Sequence, residues 1–322
     1  LSRMKILFTA DWHIKLGQKN VPIEWATNRY RSFFSQIQEI EQEVDLHIIG
    51  GDLFDRLPSM PELELYFDFI SGVEIPTIIF DGNHEATKKN KTFFTQLKTA
   101  TQKLNPLVTV IDEIWKTEDY SILPYCYLHR KWNPILDLDI RKPLFTHVRG
   151  SIPPHVSPEI DLSKLAQFPI VFAGDLHSHS NTQLNIVYPG SPMSTQFHRT
   201  KVKTGYILID EKSWNWEWKQ FALPQLIRKT VTDPEDMIAT DYDYTIYELE
   251  GDVADLSLIK NSELLDKKVV KRKTEATLIL DSDMSMEEEL AEYLSYILEI
   301  KDDTVTQILG IFHDHSKNAE VG

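Results

Sequence analysis

Leu46-His47-Ile48-Ile49-Gly50-Gly51-Asp52-Leu53-Phe54-Asp55 is the stretch whose reading decides the fold. An apolar run that ends in glycines and an acid is the pattern of a buried strand delivering a carboxylate to its C-terminal edge. In open α/β sheets that edge is where ligands bind. Outward from this stretch the same arrangement recurs. Lys5-Ile6-Leu7-Phe8-Thr9 precedes Asp11-Trp12-His13, and Thr77-Ile78-Ile79-Phe80 precedes Gly82-Asn83-His84-Glu85. Pro143-Leu144-Phe145-Thr146 ends in His147, and Ile170-Val171-Phe172-Ala173-Gly174 leads into Asp175-Leu176-His177-Ser178-His179. Metal-binding side chains thus stand at five strand ends, which predicts an α/β fold carrying a two-metal site.

The 322 residues, 42% of them apolar, suffice for one large core or two domains. No apolar run approaches the roughly 18 residues that span a bilayer, and the start shows no leader-like pattern, so a cytoplasmic setting is expected. Leu1-Ser2-Arg3, ahead of Met4, is set aside. The single cysteine, Cys126, cannot close an internal disulfide and suits a reducing compartment. A formal charge of −15 counts against simple electrostatic binding of nucleic acid. A site that loads divalent cations needs local carboxylates, however, and the bound cations themselves receive phosphate. The acidity also points to a partner subunit that supplies basic surface.

Between the strands, residues 23–41 place Tyr30, Phe33, Phe34, Ile37 and Ile40 at helical spacing. Pro61 opens a second helix, with Ser59 as cap and Gly72 as stop. Its run Leu63–Ile70 is more apolar than one buried face requires, which fits a doubly packed core helix or a subunit interface. A further helix passes through Phe93, Phe94 and Leu97, and a proline-rich loop (Pro153, Pro154, Pro158) follows His147. After residue 185, Gly205–Asp210 and the alternating Trp214, Trp216 and Trp218 read as an antiparallel hairpin with the tryptophans on one packed face, a base-stacking role being the lesser alternative. Residues 245–250 and 275–280 read as strands of a small α/β domain. Lys267, Lys268, Lys271, Arg272 and Lys273 form the one dense positive cluster, either a solvated face or a phosphate-contacting patch. Ser285 and Glu288 fit a capping box, and Val305, Ile308, Leu309 and Phe312 follow at helical spacing.

First-row divalent cations such as Mn²⁺ accept mixed carboxylate, imidazole and amide-oxygen ligands. Two of them clamping a phosphate need a bridging carboxylate, and Asp52 is the best placed. Asp11, His13 and one histidine of residues 175–179 complete one metal; Asn83, His147 and one further group of that motif complete the other. His84, one residue beyond a ligand, is the candidate to stabilise the transition state or protonate the leaving oxygen, with Asp55 or Glu85 orienting it. His47, inside its strand, is read as a core residue, and His129, His155, His198, His313 and His315 as structural or surface residues.

Asp-x-His, Gly-Asp, Gly-Asn-His-Glu, a lone His and a terminal His-containing motif resemble the signature of the calcineurin-like metallophosphoesterases. Gly51–Asp55 with Pro58-Ser59, Tyr188-Pro189-Gly190-Ser191-Pro192 and Gly205–Ile209 look like the SbcD or meiotic-recombination-eleven nucleases within that superfamily. The compact length is similar to phage versions. The resemblance implies a β-sandwich flanked by helices (residues 4–225), a small α/β capping domain that binds DNA (226–282) and C-terminal helices (283–322). It implies Mn²⁺-dependent DNA hydrolysis, 3′-to-5′ exonuclease and endonuclease, with two Mn²⁺ per subunit and Mg²⁺ as the alternative. It also implies roles in recombination, replication and double-strand-break repair, a homodimer through the helices near Leu63–Ile70 and Phe93–Leu97, and an SbcC-type ATPase docked on residues 285–313.

The family's last motif is usually Gly-His-x-His. Keeping Gly174 in register makes Asp175 a ligand of the second metal and His177 of the first; sliding by two residues gives His177 and His179. Two other readings compete. Gly-Asp-x-x-Asp-Arg and Gly-Asn-His-Glu also look like phosphoprotein or nucleotide phosphatases, which have no evident use for the capping domain and terminal helices. A non-catalytic scaffold on the same fold predicts broken ligands.

Overall fold

The computed structural model describes residues 4–88, 90–130, 134–270, 285–298 and 300–319. Leu46–Gly50 pairs in parallel with Lys5–Thr9 on one side and Thr77–Phe80 on the other, and Val108–Ile111 extends the parallel set. Gly205–Asp210 and Trp216–Gln220 add antiparallel strands beyond Lys5–Thr9. A second sheet runs in the order Ile186–Val187, Val171–Gly174, Leu144–His147, Ser121–Leu123, Trp115–Lys116. Its first four strands are parallel.

The central strands of each sheet are buried on both faces, which is why they read as unbroken apolar runs. Between the sheets, Ile6, Phe8, Ile48 and Phe80 meet Ile122, Phe145, Phe172 and Val187. The alternate residues of the first sheet, among them Leu7, Ile49 and Ile79, pack under the helices. Those helices are Ile23–Glu41, Met60–Ser71 and Phe94–Leu104. Met60–Ser71 has the expected Ser59 cap, which forms a capping box with Glu62, a proline in its first turn and Gly72 as C-cap. Leu65, Tyr66, Phe69 and Ile70 are buried, and Leu63 and Phe67 pack on the same core, so the apolar excess of this helix is largely internal.

Of the three hairpin tryptophans, Trp216 and Trp218 lie on the strand, whereas Trp214 occupies the turn at φ 55°. Its ring packs against Tyr120 and Phe145. The chain divides into two compact units, Leu1–Glu248 with Asn261–Lys267, and Leu249–Lys260 with Lys268–Gly322. Leu226, at the start of strand Leu226–Val231, is buried in the core of the larger unit. The smaller unit contains the helices Val253–Leu258, Met286–Glu292 and Asp302–Ala319. Ser285 and Glu288 form a capping box there. The strand expected over residues 275–280 lies outside the described residues.

Two devices bring the strand ends together. The buried Glu85 carboxylate accepts the backbone N–H groups of Gly82, Asp52 and Phe54 at 2.8, 2.9 and 2.8 Å, clasping two strand-end loops. Glycines then let the sheets touch. A Cβ on Gly51 or Gly174 would stand 2.6 Å from His147 Nδ1, and one on Gly82 would stand 2.2 Å from Asp52 Oδ1.

Glu85→Gln replaces an acceptor oxygen facing N–H donors with an NH₂ group. A buried N–H left without its acceptor costs about 1–3 kcal/mol, so a destabilisation of that size is expected as a lower urea midpoint. Phe145→Ala, which removes a fully buried ring stacked on Phe172 at 5.2 Å, is expected to cost about 3–5 kcal/mol in the same measurement.

Candidate metal centre

Four of the predicted site residues leave their strands with φ positive: Asp11 (57°), His13 (47°), Asp52 (51°) and Asp175 (107°). Non-glycine residues adopt this region at a cost of order 1–3 kcal/mol, and Asp and His tolerate it better than most. The turned loops are zipped to each other: Asp11 N–H donates to Gly51 O (3.0 Å), His13 N–H to Asp52 O (2.9 Å) and Ile14 N–H to Leu53 O (2.8 Å). Asp175 N–H donates to Asp11 Oδ1 at 3.0 Å, bringing the second sheet's edge into the same cluster.

At the centre, Asp52 Oδ2 stands 3.4 Å from His147 Nε2, 3.7 Å from His13 Nε2 and 3.9 Å from His84 Nε2. Burial would raise the Asp52 carboxyl, but His147, His13 and His84 overcome it and hold the group well below the usual carboxylate range. His13 Nε2 lies 3.0 Å from His177 Nε2. Asp11, His13 and His177 form one group of convergent donor atoms, and Asp11, Asp52 and His147 another. His177, desolvated and beside His13, is pushed down to about 4 and is therefore neutral, with a lone pair to offer.

His147 donates Nδ1–H to Gly50 O at 2.9 Å, which turns Nε2 into the cluster. The Asn83 amide lies beside His147 Nε2, Asp52 Oδ2 and Asp175 Oδ1, at 2.9, 3.1 and 3.3 Å when its NH₂ faces inward. With Oδ1 inward, four acceptor atoms converge, an arrangement that calls for a cation. The same demand appears in His147: burial lowers its pKa, yet Asp52, Asp11 and Asp175 more than reverse this and raise it well above the ordinary value. The mixed oxygen and nitrogen donors fit divalent first-row metals.

Asp175 also accepts a bidentate fork from Arg149, Nε to Oδ2 and Nη2 to Oδ1, both at 3.2 Å. Arg149 in turn faces Glu159 at 3.5 Å, and Glu159 accepts from Tyr125 OH (2.7 Å) and pairs with His129 (2.8 Å). His179 is turned elsewhere: Nδ1–H donates to Tyr188 O at 2.7 Å and the ring stacks on Trp218. Asp175 and His177 therefore stand with the cluster and His179 does not.

His84 donates Nδ1–H to the main-chain carbonyl of Asp55 at 2.6 Å, leaving Nε2 toward Asp52. The Asp55 carboxylate is occupied otherwise. It pairs with Lys15 at 2.7 Å, and the neighbouring His13 ring and Lys15 hold it well below the usual range. His84 thus takes its orientation from backbone, while Glu85 orients loops. His47 is a buried core residue between Thr9 Oγ1 and Glu41, each at 2.9 Å. The cleft over the cluster, 370 Å³, is lined by Asp52, Asn83, His84, Arg149 and His155 among others. Sequence reading missed Arg149, although it lies two residues beyond His147, and took His155, in its proline-rich loop, for a structural or surface residue.

Lys267 stands apart from these groups. It pairs with Glu248 at 2.8 Å, which Arg199 also contacts at 2.7 Å. Lys268 Nζ donates to Ile259 O, and Lys271, Arg272 and Lys273 lie outside the described residues.

Residues 4–162 match the family Metallophos, calcineurin-like phosphoesterase. The chain is 41% identical, over 95% of its own length and 97% of the relative's, to the Escherichia phage T5 protein named "Probable exonuclease subunit 1". Among solved structures, TT1561 of Thermus thermophilus is similar over 68% of this chain and 99% of that one, with 14% identity and a TM-score of 0.43. With a relative of this identity along nearly its whole length, and strand ends that converge on a divalent-metal donor set, the chain belongs to the calcineurin-like phosphoesterase family and is a metal-dependent phosphoesterase.

Proposed function

We propose that this protein is a DNA nuclease subunit that hydrolyses phosphodiester bonds at DNA ends, with Mn²⁺ as its metal and Mg²⁺ as a weaker substitute. The observation that carries this reading is the match to the phage T5 exonuclease subunit, which continues past the phosphoesterase region to cover 95% of the chain. In the proposed site Asp11, His13, Asp52 and His177 hold one cation, and Asp52, Asn83, His147 and Asp175 hold the other. Bound there, the cations supply Lewis acidity to the phosphodiester and to the attacking water.

The chain's own residues do the rest. The Gly50 carbonyl fixes His147, the Asp55 carbonyl fixes His84, and Arg149 fixes Asp175. In its imidazolium form His84 keeps Nδ1–H on the Asp55 carbonyl and passes the Nε2 proton to the departing oxygen, so that an alcohol leaves and neutral imidazole remains. Asp55 acts in this scheme through its carbonyl.

The word "subunit" in the relative's name supports a partner, for which we propose an SMC-like ATPase of the SbcC type. The helices Met286–Glu292 and Asp302–Ala319 are the proposed docking element, supported by exposed apolar residues such as Tyr293, Leu298 and Ile311. A homodimer through Met60–Ser71 and Phe94–Leu104, a DNA-contacting capping domain over residues 226–282 with Lys267, Lys268, Lys271, Arg272 and Lys273, and a role in recombinational repair complete the proposal.

End-labelled linear DNA incubated with the full chain and its ATPase partner tests this. Cleavage is expected with Mn²⁺, less with Mg²⁺ and none with EDTA, and Asp52→Asn abolishes it. His84→Ala is expected to bind Mn²⁺ normally by calorimetry while turning over about 10²–10⁴-fold more slowly. Intact DNA alongside efficient hydrolysis of a phosphomonoester would replace the nuclease by a phosphatase.

A further inference from the structure

We infer that a second cleft, contiguous with the metal centre, seats the nucleoside attached to the scissile phosphate; the inference rests on the nuclease reading and deepens it. The cleft has a volume of 710 Å³ and shares Asp175, Leu176 and His177 with the cleft over the cluster. An occupant therefore touches residues of the metal centre itself. The volume lies within the roughly 300–1,000 Å³ typical of small-ligand sites.

The chemistry of the walls selects the ligand. One wall is a preformed aromatic stack of the His179 and Trp218 rings, 5.3 Å apart at 14°; Trp216, outside the lining, braces His179 edge-on at 5.5 Å. Both stacked rings are fixed before any ligand arrives, His179 by Tyr188 O and Trp218 by donation of Nε1–H to Pro189 O at 2.9 Å. Gly190 permits this packing, since at φ 78° its Cβ position lies 2.8 Å from His177 O. Rigid aromatic surface binds a base at little entropic cost and without strict sequence preference.

Polar groups line much of the rest, between the apolar Ile152, Leu176, Met193 and Val202. Ser178, Ser180, Asn181, Thr195 and Gln196 offer hydroxyl and amide groups to a sugar and to base edges, and Lys203 adds a cation. The lining includes no carboxylate but Asp175, in a chain with 49 acidic residues. His179, with its Nδ1–H engaged, keeps Nε2 as an acceptor with no hydrogen-bond partner among the described residues. An aromatic wall, a neutral polar floor and a single cation suit a deoxynucleoside phosphate better than an isolated phosphate or a phosphopeptide.

The test uses the full chain with Mn²⁺ and bis(p-nitrophenyl) phosphate, a phosphodiester that has no base. Inhibition constants are measured for dAMP, dTMP and deoxyribose 5-phosphate. The two nucleotides are expected to inhibit at least about fivefold more tightly than the sugar phosphate, the lower end of one base stack. His179→Ala and Lys203→Ala are each expected to narrow that gap. The gap is a ratio taken within one variant, so altered metal occupancy cancels from it. Equal inhibition by all three compounds in the wild type overturns the subsite while leaving the nuclease reading untouched. A gap that survives both substitutions also overturns it, because the base is then bound elsewhere. A gap that both substitutions erase, in a protein that cleaves no DNA, upholds the nucleoside seat and removes the nuclease reading.

Discussion

The candidate centre depends on one buried carboxylate that lies outside its converging donor groups. Glu85 receives three backbone N–H groups from two loops, and those loops carry Asp52, Asn83 and His84. Strand pairing aligns Leu46–Gly50 with Thr77–Phe80 but leaves the residues beyond the strand ends with unpaired amides. A carboxylate accepts them through two oxygens, Oε2 from Asp52 and Gly82 and Oε1 from Phe54, where a neutral amide has one acceptor oxygen. Burial and the Asp52 charge push the Glu85 carboxyl upward, and the donated N–H groups oppose that rise. The clasp therefore converts an electrostatic penalty into a fixed separation between the two loops.

With the loops fixed, glycine does the remaining work of approach. His147 comes from the other sheet and must reach Asp52 past two backbones. It does so because Gly51, Gly82 and Gly174 have no Cβ to collide with its ring or its neighbours. The positive φ of Asp11, His13, Asp52 and Asp175 belongs to the same geometry. A strand that continued straight would carry its ligand away from the seam between the sheets. Turning sharply brings the carboxylate back over the strand end. The strain is held by the hydrogen bonds that zip residues 11–14 to residues 51–53.

Much of this could be read from residues in order. Parallel strands buried on both faces are unbroken apolar runs, so their ends, and the acids and histidines there, stand out. The helix Met60–Ser71 is local information too, since Ser59, Pro61, Glu62 and Gly72 each act within a few residues. What stayed hidden depends on which loops meet. Glu85 lies 33 residues from Asp52, and no periodicity predicts that its carboxylate would bind that amide. Period-two reading grouped Trp214 with Trp216 and Trp218, yet Trp214 stands in the turn at φ 55°, off the strand, and packs with Trp218 on the margin of the core between the sheets. The two registers of the last motif were equivalent in chemistry. The Tyr188 carbonyl, and the Trp218 ring on a later strand, show that His179 is engaged away from the cluster.

The pairing of Asp175 with Arg149 shows how an acidic chain keeps such a centre usable for an anionic substrate. Asp11, Asp52 and Asp175 place three carboxylates in one seam, and each further negative charge weakens the attraction of a metal-loaded cleft for phosphate. Arg149 offsets one of them without removing it from the cluster, because a carboxylate has lone pairs enough for a guanidinium fork and a cation together. The fork uses Nε and one terminal nitrogen, and the other terminal nitrogen faces Glu159. Glu159 is in turn held by Tyr125 and His129, so Arg149 is anchored from behind. Signs alternate along this chain from the metal seam to the surface. Each charge has an opposite neighbour, and the cluster keeps its ligands while the cleft wall beside Asp52 and His84 presents a cation.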